Sequence, residues 1–281
     1  MSASEAKASR PYYRHTLPVR IMHWINVIAF FMLLMSGLQI FNAYPTLNWG
    51  RSSYTGQAPV LQMLARQTVD GEMVGVTQVL GHEFDTTGIL GASRASDGEW
   101  VARGFPAWAT IPDTQWLAMG RRWHLFFAWV FVINGLAYVA YSIFSRHLSR
   151  DLSPTPKDWR SIGQSIKDHL LFHHPRGEAE KHYNILQKLT YLLVIFILLP
   201  LMVLTGWSMS PWLNSVIPGW VDWLGGRQSG RTIHFVVAWA LVAFVLVHVF
   251  EVIVSGLWNH LRSMITGYYR TQSTEAQHET E

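Results

Sequence analysis

Two histidines, His234 and His248, stand fourteen residues apart in the apolar run Arg231 to Trp258, RTIHFVVAWALVAFVLVHVFEVIVSGLW. Fourteen residues of α-helix fall about 40° short of four full turns, so both imidazoles share one face, about 21 Å apart along the axis. A buried histidine often does no more than bond a carbonyl on a neighbouring helix. Here nearly all the intervening residues are Val, Ala, Leu, Phe or Trp, which supply neither charge nor metal ligands but suit a large, flat, apolar macrocycle. The spacing points to two haems, one above the other, each taking an imidazole from this helix.

The elements that must position these residues are long apolar runs. Of 281 residues, 49% are hydrophobic and 14% charged, and the apolar ones concentrate in four stretches long enough to cross a bilayer. The expected fold is all-α: an integral membrane four-helix bundle, one domain, with spans at about 18–40, 116–144, 185–207 and 231–258. Cysteine is absent. That removes disulfides, thiolate-held iron–sulfur clusters and CxxCH-attached haem, so any cofactor must be held by His or Met. The net charge of +4 and a pI near 9.4 would suit nucleic acid, but the basic residues fall mainly in loops of one membrane side. They are read as a topology signal, and no nucleic-acid partner is expected.

Residues 1–17 are polar and basic, without the apolar core of a cleaved signal peptide. Residues 42–115 form a long connection on the outer side, rich in Gly, Pro and Trp, whose aromatic residues (Trp49, Tyr54, Trp100, Phe105, Trp108) argue for a folded cap rather than a tether. His82 beside Glu83 in this connection reads as a solvated surface pair. In the basic loop after the second span, Thr155 is a candidate N-cap with Pro156 at the first helical position and Asp158 in the first turn. Trp159, Ile162, Ile166 and Leu170 line one face there, as an interfacial amphipathic helix requires. His173, His174 and Pro175 mark the expected end of that helix. Past Trp258, Leu261, Ile265 and Tyr268 recur at helical spacing before a polar tail. Fourteen of the 22 Lys and Arg lie in the N-terminal segment, the second loop and the tail with their helix ends, against eight on the other side. Both termini are therefore expected in the cytoplasm, the protein being multi-pass in the plasma (inner) membrane.

With that topology four histidines sort by depth, His23 and His248 near the inner surface, His124 and His234 near the outer one. Each pair offers two axial imidazoles from two helices. Gly37 lies fourteen residues beyond His23 and Gly135 eleven beyond His124, each on its histidine's face and at the depth of the other pair, where it leaves room for a macrocycle; packing alone is the other reading. Arg121, Arg122, Arg227 and Arg231 at the outer level, and Arg20 one turn from His23, are candidate partners for haem propionates, with interfacial anchoring as the alternative. Glu251, three residues past His248, is a costly intramembrane carboxylate that could take a proton from a quinol or belong to an ion pair. Asn184, Gln187 and Lys188 gather at the same inner level and complete a candidate quinone site with it.

The stretches RIMHW (20–24), GRRWHLFFAW (120–129), RTIHF (231–235) and VLVHVF (245–250) carry a resemblance across all four spans. The chain resembles the cytochrome b membrane subunits of respiratory hydrogenases, formate dehydrogenases and proteins called thiosulfate reductase cytochrome b subunits. That resemblance implies two haem b groups, His23 with His248 binding the inner and His124 with His234 the outer. It also implies electron transfer between a quinone pool and a catalytic subunit docked on the membrane. The long first outer loop departs from the hydrogenase and formate dehydrogenase members and points to a molybdenum-cofactor oxidoreductase on the outer side. Two other functions stay open: a stand-alone cytochrome b561-type quinol oxidoreductase, and a haem-free transporter of metal or solute lined by the histidines.

Overall fold

The computed structural model describes residues 11–53, 56–170 and 184–270. In chain order these form strand β1 (Pro11–Tyr13), helix α1 (Leu17–Asn42), strands β2 (Thr46–Leu47), β3 (Leu61–Gln67), β4 (Met73–Val79), β5 (His82–Asp85), β6 (Gly91–Arg94) and β7 (Trp100–Arg103), and helix α2 (Leu117–Phe144). There follow α3 (Pro156–Arg160), α4 (Ile162–Leu170), α5 (Ile185–Leu193), α6 (Leu199–Ser208), α7 (Pro211–Val216), α8 (Arg227–Val254), α9 (Leu257–Thr266) and β8 (Tyr268–Arg270). Among the described residues four helices are long and apolar enough to cross a membrane: α1, α2, the run Ile185–Ser208, and α8. Most of the apolar surface of these helices is not covered by protein, as expected where lipid is the solvent.

The third span is not uniform. Its middle, Val194–Leu198, is a π-helical turn between α5 and α6. Pro200 supplies the reason, because it has no N–H and its ring would collide with the carbonyl four residues back, so the turn before it widens. The fourth span starts four residues before the expected Arg231 and stops at Val254, not Trp258. Gly256 adopts φ +107°, a left-handed conformation that breaks the helix and redirects the chain into α9. Likewise Tyr268 does not continue α9: Gly267, at φ +90°, ends the helix, and Tyr268 opens a strand.

The chain divides into two compact units, each containing part of every span. The first, the insertion unit, comprises Ile25–Asn134 and Pro200–Ala240. Here the all-α expectation fails, because the connection after α1 is a β fold. Strands β2-β3-β4-β5 form one antiparallel sheet in sequence order, and β6 and β7 form a second hairpin. The two pieces lie close at Gly75 and Gly91, where a Cβ on Gly75 would overlap the Leu90 carbonyl and one on Gly91 the Leu64 carbonyl. Phe41 from α1, Leu47, Met63 and Phe105 make a buried core with Leu38 and with Phe235 of α8 packed against it. Buried Arg103 braces the hairpin, donating to the Phe105 and Asp113 carbonyls and to Thr110 Oγ1. The cap is joined to its helices by polar contacts as well. Gln39 donates to the Thr114 carbonyl, Asn42 exchanges two bonds with the Phe105 backbone, and Thr232 donates to the Asn48 carbonyl. Glu83 is exposed and held by both guanidinium nitrogens of Arg66, with His82 exposed beside it.

The second, the terminal unit, comprises Met1–Trp24, Gly135–Leu199 and Leu241–Glu281. β1 pairs antiparallel with β8, stacking Tyr12 on Tyr269 and Tyr13 on Tyr268, with the Arg14 guanidinium over the Tyr269 ring. Thr155 caps α3 in a reciprocal box with Asp158, as the sequence suggests. The single amphipathic helix expected over this loop is two, separated at Ser161, whose hydroxyl turns back onto the Asp158 carbonyl. Trp159 and Ile166 remain exposed, and the side chain of Leu170 and the residues His173, His174 and Pro175 lie outside the described part, as do Tyr54, the first ten residues and the polar tail.

Candidate functional site

Within the insertion unit, α2 delivers His124 and α8 delivers His234, with ring centroids 6.3 Å apart and planes inclined at 66°. Within the terminal unit, α1 delivers His23 and α8 delivers His248, with centroids 6.4 Å apart and planes inclined at 64°. These separations can be tested against a metal held between two imidazoles. A metal–nitrogen bond of about 2 Å added to a ring radius of about 1.2 Å places each centroid about 3.2 Å from the metal, or about 6.4 Å between centroids. Both pairs meet that spacing. Among the described residues there is no group of three or more His, Asp, Glu or Cys that could hold a bare metal ion. The donor set is two imidazoles per site, which suits an iron whose other ligands come from a macrocycle.

The surroundings of the first pair are built twice on one plan. His124 Nδ1 lies 3.1 Å from the Leu33 carbonyl and 3.2 Å from Ser36 Oγ, both on α1. His234 Nδ1 lies 3.2 Å from the Met202 carbonyl and 3.0 Å from Thr205 Oγ1, both on the third span. A glycine follows each hydroxyl residue. A Cβ on Gly37 would stand 3.3 Å from His124 Cε1, and one on Gly206 3.4 Å from His234 Cε1. A glycine also precedes each histidine by four residues: Gly120 faces Gln39, and Gly230 faces Ser208 so closely that a Cβ would overlap its hydroxyl. The sequence carried this signal in two forms, Gly-Arg-x-x-His-x-x-x-Ala-Trp at 120–129 and at 230–239, and Ser-Gly at 36–37 against Thr-Gly at 205–206. Ser36, Thr205 and Gly206 stand out as a repeat only when the two stretches are aligned with one another.

The remaining expected residues divide. Gly37 does lie at the His124–His234 pair, where the group it makes room for in this structure is the His124 imidazole. Gly135 has open space where its side chain would be. Arg121 and Arg122 are exposed. The Arg231 guanidinium donates to the Thr46 and Tyr44 carbonyls and lies over the Phe41 and Tyr44 rings, clasping the start of the cap. Arg227 donates to the Met209 carbonyl. Arg20 bonds the Ile265 carbonyl in the last turn of α9, and its Nε is buried without a partner among the described residues. An orphaned guanidinium nitrogen one turn from His23 fits an anionic substituent of a bound group.

The candidate quinone residues are more committed than their types suggest. Asn184 and Gln187 cap α5 reciprocally, each side-chain oxygen accepting from the other's backbone N–H. Lys188 is buried and paired with Asp158 at 2.9 Å. The Thr155 cap and this ammonium hold the Asp158 carboxyl at a pKa of about 2, below the ordinary 3.8. Glu251 is half-buried on α8, three residues beyond His248.

Comparison with known proteins then decides the family, since the profile of the prokaryotic cytochrome b561 proteins matches residues 14–267. The chain belongs to that family. It is a membrane haem protein of the cytochrome b561 type, and its donor chemistry agrees. One relative, named as a protein-methionine-sulfoxide reductase subunit, YedZ1, of Azospira oryzae, is 34% identical over 134 residues, 48% of this chain and 65% of that protein. Another, named as a Ni/Fe-hydrogenase B-type cytochrome subunit of Cupriavidus necator, is 28% identical over 159 residues, 52% of this chain and 65% of that protein. The chain thus spans just under two thirds of the length of each. Both relatives are named as subunits of oxidoreductases. No solved structure matches significantly.

Proposed function

We propose that this cytochrome carries two haem b groups in one four-helix domain and passes electrons between the quinone pool and a catalytic oxidoreductase subunit of the molybdenum-cofactor class. The observation that carries the reading is the pair of imidazole–imidazole separations, 6.3 and 6.4 Å, each suited to one bis-histidine iron. His124 and His234 would hold one haem, His23 and His248 the other, and Arg20 would meet a propionate of the latter. The haems supply one-electron chemistry. The chain's own residues orient the ligands, exclude water and handle the protons.

Quinone exchange is assigned to the His23–His248 end, on the cytoplasmic side of the plasma membrane with both termini. A quinol gives up two protons with its two electrons, so its site needs an ionisable group with a route to water. Glu251 is that group. Asn184, Gln187 and Lys188 frame the approach, their side chains held by the cap and ion pair already described. Replacing Glu251 by Gln should abolish haem reduction by a quinol analogue while dithionite still reduces both haems. Equal quinol rates in the two proteins would remove Glu251 from the mechanism.

The β cap, on the outer side, is the docking surface for the catalytic subunit. Two relatives named as subunits support a partner, and the cap offers exposed apolar side chains at the turn and on the second strand of the β4–β5 hairpin. Leu80 there is 71% exposed and held at φ +49°, an unusual conformation for leucine, and Phe84 is 54% exposed. Excising residues 52–98 would remove β3 to β6 and strip Met63 from the core, so surface changes are the cleaner test. Leu80→Asp with Phe84→Asp should release the partner from membranes with both haems kept. Undiminished co-purification would move the docking site elsewhere.

A further inference from the structure

We propose that Ser36 and Thr205, each followed by a glycine, are positioning residues that fix the proton of His124 and of His234 on Nδ1. Each would thereby present Nε2 to iron and lower the reduction potential of a haem held by the two histidines. The inference rests on the reading that a haem is held by these two histidines, and deepens it.

The donor inventory decides the tautomer. A backbone carbonyl can only accept, so Leu33 O at 3.1 Å from His124 Nδ1 and Met202 O at 3.2 Å from His234 Nδ1 require a proton on each Nδ1. The hydroxyls leave no other choice. Ser36 Oγ donates its hydrogen to the Met32 carbonyl at 2.5 Å, and Thr205 Oγ1 to the Leu201 carbonyl at 2.7 Å. Each hydroxyl oxygen therefore meets Nδ1 with a lone pair, and the N–H is shared between two acceptors. Nε2 is left unprotonated in both rings, the form that binds a metal.

A ligating imidazole whose far N–H is hydrogen-bonded is a stronger donor. It favours ferric over ferrous iron, and so lowers the potential. The two glycines keep this approach uncrowded, because a Cβ would stand only 3.3 Å from His124 Cε1 at Gly37 and would touch His234 Cε1 at 3.4 Å at Gly206. The plan is repeated, with Gly120 on Gln39 and Gly230 on Ser208 setting the approach of the opposing helix three residues past each hydroxyl. Accidental packing of a buried histidine would not reproduce donor, acceptor, glycine and spacing twice. The contrast lies within the same chain: among the described residues His23 and His248 make no side-chain hydrogen bond, only ring contacts with each other, Trp24 and Phe244.

The test is a redox titration of the purified full-length protein beside Ser36→Ala/Thr205→Val. The expected result is two haems retained, one midpoint potential shifted upward with an altered low-spin resonance signature, and the other potential unmoved. Ser36→Thr and Thr205→Ser should keep the original potential, since each restores the hydroxyl. Unchanged potentials in the double variant, with both haems present, would overturn the proposal. If the double variant loses a haem, the single variants decide by the same criterion, one shifted potential supporting it and none refuting it. The underlying reading fails separately: His124→Ala with both haems intact would show that no haem depends on this pair.

Discussion

The two histidine pairs reach almost the same ring separation by different means. His124 and His234 are each gripped at Nδ1 by a carbonyl and a hydroxyl of a neighbouring helix, in a unit whose helix ends share a core with a β cap. His23 and His248 sit among ring contacts, in a unit closed by a short β1–β8 ladder and by Arg20 and Trp24 reaching the Ile265 and Met264 carbonyls of α9. A site held by directed bonds and a site held by packing should differ in rigidity. Under the function proposed above, the first would serve as the fixed electron outlet and the second as the end where a quinone comes and goes.

The largest expected effect separates the pairs outright. His234→Ala and His248→Ala should each lower the haem content from two to one per chain, and the surviving haem should differ in potential between the variants. Two haems remaining in either variant would dissolve the pair concerned.

Next come the glycines. Gly37→Val pushes into the His124 ring and should strip or shift the first haem only. Gly135→Leu fills open space in the terminal unit, so loss of the second haem would place a macrocycle over Gly135, whereas a normal spectrum would leave that space to lipid or quinone.

A smaller effect follows from the cap. Arg103 is 4% exposed, and burial lowers its pKa below the ordinary guanidinium range. Arg103→Met leaves the Asp113 carbonyl and the Thr110 hydroxyl without this donor and should cost about 3 kcal/mol. Limited proteolysis should then cut the cap, and the His124–His234 haem should become labile while the other persists. Equal lability of both haems would mean that the cap does not stabilise one site selectively.

The smallest effect concerns the Asp158–Lys188 pair. Its carboxyl titrates at about 2 in the folded protein against an ordinary 3.8, so the stabilisation is complete above about pH 4 and fades as pH falls toward 2. Asp158→Asn should cost about 1 kcal/mol at neutral pH, read as a lowered Tm in detergent, and the difference from the parent should shrink on acidification. A difference that grew below pH 4 would contradict the sign.

What could be read from residues alone was whatever depends on one helix at a time. The spans, the fourteen-residue separation of His234 and His248, and the Thr155 cap rest on local periodicity and local bonding, and the structure has each of them. The end of the fourth span was misplaced because Gly256 is silent in an apolar run until its φ is known. The strands of the cap are not legible in the sequence because they lack a clean apolar–polar alternation: Met63 and Leu64 are adjacent in β3, and Gly75, Val76 and Thr77 are buried in succession in β4.

The sequence by itself determined a four-span membrane protein with histidines in positions to serve as ligands, since hydropathy and helical spacing are properties of the chain. Only the tertiary structure decided that Ser36 and Thr205 face His124 and His234, that Arg231 and Lys188 are engaged elsewhere, and that the long connection is a β cap. Those outcomes depend on which helix faces which. A side chain's partner is set by the packing of segments far apart in sequence, where a hydroxyl or a guanidinium finds whichever acceptor the fold brings within about 3 Å.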